Sequence, residues 1–148
     1  MWSPFIKIAV EKAASSAERD ALDRLLSLAN RLDEVEASFE SRINAGKAAR
    51  GDGPTKLSKS QREELKQYSE DEKAIEKELL LECERFSDAR EVVAGLHMDF
   101  EIDLRSSKEL LDHVHPDDAP VVQELIDAKT ELYDAIAKFH ESYPEIEG

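Results

Sequence analysis

The stretch Ser16–Ala45, SAERDALDRLLSLANRLDEVEASFESRINA, decides the fold class. Its apolar residues Leu22, Leu25, Leu28, Leu32, Val35, Phe39 and Ile43 recur at spacings of three and four. That rhythm winds them into one narrow stripe along an α-helix. A stripe so narrow is a coiled-coil seam, which needs a second helix to cover it. Ser15-Ser16-Ala17-Glu18, just ahead, has the form of a capping box, with a serine hydroxyl accepting from a free helix-start N–H. A helix therefore starts there, unless an earlier one runs through the serines.

The partner for that seam is sought downstream. Residues 58–94 carry a second stripe, Leu65, Tyr68, Ile75, Leu79, Phe86, Ala89 and Val93, continued by Leu96, with Glu72 and Glu82 interrupting at seam positions. Ser58 or Ser60, each followed three residues later by Gln61 or Glu63, suits its start. Residues 46–57 separate the two stretches as a basic loop. Gly46, Gly51, Gly53 and Pro54 break the helical pattern there, and Lys47, Arg50, Lys56 and the adjoining Lys59 outweigh Asp52. A connection that short makes its flanking helices antiparallel neighbours, so the expectation is a long helical hairpin.

Around the hairpin lie shorter elements. Ser3-Pro4 opens a helix over residues 4–14, because proline at the first helical position loses no hydrogen bond. Trp2, Phe5, Ile6, Ile8, Ala9 and Val10 make it too apolar for a free surface helix, so it docks on the body or on a partner. Residues 97–104, His-Met-Asp-Phe-Glu-Ile-Asp-Leu, alternate polar and apolar. This is the period of a half-buried strand, and it predicts either a strand that pairs with another chain or an extended connector, through Met98, Phe100, Ile102 and Leu104. A short helix over 107–113, capped by Ser106, and a final helix over 118–142, with Pro120 in its first turn, complete an all-α bundle of three or four helices in one domain, 1–148.

Composition narrows the function classes. Acidic residues number 34 against 20 basic ones, for a net charge of −14. Residues 97–148 hold 14 of the acids and 4 of the bases, a balance of −10, so the acidity is concentrated at the C-terminal end. Such a field disfavours nucleic acid and anionic membrane and favours a basic protein partner. The lone Cys83 has no intrachain partner for a disulfide, and neither a secretory signal nor an apolar run of membrane-spanning length is visible. The expected setting is cytoplasmic.

Motifs for chemistry are sparse. His113-Val114-His115-Pro116-Asp117-Asp118 resembles part of the metal motif of the metallo-β-lactamase family, but that motif continues to a histidine where Asp118 stands. From His115 onward the same residues are similar to a turn of PAS domains, whose sheet has no counterpart in this pattern. Arg90 and His97 match the loose arginine-to-histidine spacing of HEPN-type RNases, with Val92, Val93 and Leu96 between them as core residues. The plainer reading of the histidines is a helix-start turn, and of Cys83 a small core side chain.

These features predict a non-enzymatic interaction protein, an adaptor, assembly factor or small homo-oligomer, without cofactor or metal. Its contact residues would be Met98, Phe100, Ile102, Leu104, Phe5 and Ile8, with a basic patch at Lys47, Arg50, Lys56 and Lys59. A second expectation is an acidic immunity protein or antitoxin that neutralises a basic partner such as a nuclease. A metal-dependent enzyme using His113, His115 and Asp117 comes third.

Overall fold

The computed structural model describes residues 2–51 and 58–144, with Gln61 through its backbone alone. Five α-helices follow in order: α1 (Ser3–Glu11), α2 (Ser16–Ala49), α3 (Lys59–Arg85), α4 (Ala89–Leu110) and α5 (Ala119–Ser142), with one 3-10 turn at Pro116–Asp118. No strand occurs among the described residues. The expected all-α bundle is the architecture.

The end of α1 and the start of α2 are separate, which settles the alternative left open at the serines. Ser15 adopts extended backbone and its Oγ accepts the Glu18 N–H at 3.1 Å, a side-chain cap for α2. At the other end, α2 runs past Asn44-Ala45-Gly46 to Ala49 and stops where Gly51 takes φ +76°, a left-handed conformation that glycine adopts at little cost. Gly46 stays helical. A Cβ there would lie 2.6 Å from Asp118 Oδ1, so the glycine makes room for the turn before α5 rather than ending the helix.

The stripe of α2 is covered by α5, and α3 does not pack along it among the described residues. α2 packs along α5, α4 lies against α5, and α1 closes the bundle by packing on α2 and α4. The core runs through Phe5, Ile6 and Ala9 of α1, Leu22, Leu25, Ala29 and Leu32 of α2, Val92, Val93, Leu96 and Phe100 of α4, and Leu132, Ile136 and Phe139 of α5. The physical reason is width. The broad apolar face of α5 reaches several helices, whereas the seam of α3 is interrupted by Glu72 and Glu82 and cannot match α2 along its length.

Residues 58–94 are not one helix. Phe86–Asp88 breaks them, and Asp88 starts α4 by accepting the Glu91 N–H at 3.0 Å, while Glu91 accepts from both the N–H and the hydroxyl of Ser87. This reciprocal cap is the local signal for the break.

The expected extended segment at 97–104 is a correction. It lies inside α4, and Lys108 to Leu110 continue the same helix, which absorbs most of the short helix expected at 107–113. Two ladders of four-residue spacing, offset by two, mimic a period of two. Leu96, Phe100 and Leu104 form the buried ladder, while Met98 and Ile102 stand on the opposite side, exposed. Phe100 is wholly buried and meets Trp2 edge to face at 4.6 Å between centroids.

Candidate functional site

From Lys59 to Glu78 every described side chain of α3 is exposed, over about five turns of the helix. The C-terminal end of α3 is its anchor. Leu79, Leu80 and Cys83 pack on the core beside α1. Lys12 Nζ donates to the carbonyls of Glu84 at 2.7 Å and Phe86 at 2.6 Å, tying the end of α1 to the last turn of α3 and the residue after it.

The exposed part is patterned for packing. Leu65, Tyr68, Glu72, Ile75, Leu79, Glu82 and Phe86 follow one another at alternating steps of three and four, an unbroken heptad register. Leu65, Tyr68 and Ile75 are 54%, 67% and 57% exposed. Isolated exposed leucines are ordinary on protein surfaces; a register of apolar seam positions with nothing over it is not.

Where α3 and α4 part from their connecting turn, they enclose a cleft of about 490 Å³. Ile75 and Leu79 of α3 form one wall and Gly95, Leu96 and Asp99 of α4 the other, over a floor that includes Trp2, Phe5 and Phe86. Glu36, Glu72, Glu76, Glu82, Asp99 and Asp103 also line it, and Lys129 is the one cation among the described lining residues.

Lys129 sits at the base, only 6% exposed. Its ammonium forms an ion pair with Asp103 Oδ2 at 2.7 Å, donates to Ser107 Oγ at 2.8 Å and lies 4.0 Å from Glu36 Oε1. A lysine is tolerated so deep because these partners from α2 and α4 replace its water. Burial pushes the Glu36 carboxyl above its ordinary range, with Lys129 drawing it partly back. Asp99 is likewise pushed up, first by burial and then by the like charge of Glu82. Among the described lining residues, carboxylates thus outnumber cations six to one.

The residues expected to form a site are dispersed. Phe5, Phe100 and Leu104 belong to the buried core, Ile8 is half-buried against it, and Met98 and Ile102 are exposed on α4. Of the basic patch, Lys47 and Lys59 are exposed, and Lys56 lies outside the described residues. Arg50 makes a bidentate pair with Asp118, both contacts at 3.0 Å, and this arginine hydrogen bond holds the Asp118 carboxyl below its ordinary range. It ties the end of α2 to the start of α5.

His115 Nδ1 accepts the Asp117 N–H at 3.0 Å in the turn before α5. Among the described residues no three side chains of histidine, cysteine, aspartate or glutamate are grouped to hold a metal. Arg90 lies over the Tyr143 ring at 5.5 Å and 3.6 Å from buried Glu18, while His97 stacks on Tyr133 at 5.1 Å. Neither faces the cleft. Lys129 and the cleft are not legible in the sequence pattern, because residues 58–94 read as one helix and 97–104 as an extended segment; the Ser87-Asp88 cap ahead of Glu91 is the signal that ends α3 and starts α4.

In comparisons with protein-family models, curated proteins and solved structures, nothing matches this chain. No helix among the described residues is long and apolar enough to cross a membrane.

Proposed function

We propose that this protein is a non-enzymatic interaction module, of the adaptor or assembly-factor kind, whose binding element is α3. The observation that carries the reading is the heptad register of Leu65, Tyr68 and Ile75 on a helix with no cover over these turns. An amphipathic helix that short of tertiary contacts gains stability mainly when a partner buries its stripe.

The test is a triple substitution, Leu65→Glu, Tyr68→Glu and Ile75→Glu, in the full chain. All three side chains are exposed, so helix content and melting temperature should stay near those of the parent. Size by light scattering and proteins retained from a lysate are then compared for parent and variant. Loss of an association made by the parent supports the reading. A variant that keeps the parent's mass and every retained protein contradicts it.

A further inference from the structure

We infer that the cleft between α3 and α4 receives a cationic amphipathic helix of a protein partner, its apolar face on Ile75 and Leu79 and its lysines or arginines against Glu72, Glu82 and Asp99. This rests on α3 being the binding element and goes beyond it by naming the partner's chemistry.

Charge decides between the possible occupants. Lys129 is already taken by Asp103 and Ser107, so no described lining residue supplies a further cation to Glu72, Glu82 or Asp99. A second copy of this chain would bring more of the same sign. Its own Glu72 and Glu82 occupy seam positions, Asp71 and Glu78 flank the seam, and each copy carries a net charge of −14. A cationic helix reverses each of these terms: it offers apolar residues to the stripe and places ammonium or guanidinium groups where Asp99 and Glu82 now oppose each other.

Size agrees. Along α3 the cleft lining runs from Glu72 to Cys83, about 17 Å of helix axis, the length of roughly three turns of a partner laid alongside. The floor formed by Trp2, Phe5 and Phe86 supplies the apolar area that turns electrostatic attraction into a defined seat.

The experiment titrates the full chain with a synthetic helical peptide of three Leu/Lys heptads and with its Leu/Glu counterpart, at low and at physiological salt. Trp2 is the chain's single tryptophan and lines the cleft, so its emission reports occupancy directly. The inference expects the Leu/Lys peptide to bind with a change in Trp2 emission. It expects Glu82→Lys combined with Asp99→Lys to weaken binding about tenfold or more, and Glu109→Lys combined with Asp112→Lys, exposed at the far end of α4, to change it by less than about threefold.

Failure of the Leu/Lys peptide to bind, equal losses in the two charge-reversed variants, or equally tight binding of the Leu/Glu peptide overturns it. Should α3 instead take an uncharged helix or a second copy, with the same sensitivity to Leu65, Tyr68 and Ile75, the cationic partner falls and α3 remains the binding element. Should no association respond to those residues, both readings fall together.

Discussion

Gly46 shows how one missing carbon joins two helices. Helix propensity alone says that alanine improves this position by about 1 kcal/mol. The Asp118 carboxylate, however, stands 2.6 Å from where the new Cβ would go and is held there by two bonds from Arg50. Gly46→Ala is therefore expected to destabilise the parent and to become stabilising once Asp118→Ala removes the obstruction, a reversal that a double-mutant cycle in urea would detect. The same pair sets an acid limit. Because Asp118 is held below its ordinary 3.8, its contribution is present at neutral pH and disappears as pH falls through that lowered value. Parent and Asp118→Asn should therefore converge in stability at strongly acidic pH. Cys83 behaves in the opposite sense. Burial raises its thiol from 9.0 to about 11, so its thiolate is scarce at pH 8 and alkylation by iodoacetamide should be far slower than that of a free thiol. The folded state favours the neutral thiol, a preference lost as pH rises from 9 towards 11. Rapid labelling of the native chain at pH 8 would show that the end of α3 is undocked.

Among the elements, α4 and α3 carry opposite lessons about packing. In α4, Phe100 is fully buried and Met98 is 68% exposed, although the two are only two residues apart. Phe100→Ala should cost about 3 to 5 kcal/mol, and Met98→Ala less than about 0.5 kcal/mol, as measured by denaturant unfolding. A strand would have placed both on one face and made the costs alike. The helical stripes of α2 and α5 were legible from spacing alone, because steps of three and four, interrupted in α5 only at Lys129, admit no other regular structure. The helical state of 97–104 was hidden by two overlapping ladders that imitate alternation. Its neighbours decide between them: the Asp88 cap starts a helix, and Val92, Val93 and Leu96 extend the buried ladder into Phe100. The seam of α3 was equally legible, but its partner was not, because a stripe states how wide its cover must be and says nothing about which molecule provides it. For the same reason the cleft, built where α3 and α4 diverge, had no trace in local pattern.

At the scale of the whole molecule, the bundle of α1, α2, α4 and α5 accounts for the fold, and α3 is the element the fold does not need along most of its length. Leu32→Ala, in the core, should cost about 2 to 5 kcal/mol, while Ile75→Ala should leave global stability within about 0.5 kcal/mol. A large loss from Ile75→Ala would mean that α3 is covered within the isolated chain. The most direct test of α3 as the binding element is amide hydrogen exchange over 59–78, measured on the isolated chain and again with a saturating binding partner. In the isolated chain these amides should exchange far faster than those of α2 and α5, since few buried contacts hold them, and partner binding should slow them selectively. Protection in the isolated chain equal to that of the core, or exchange over 59–78 unchanged by the bound partner, would contradict the account.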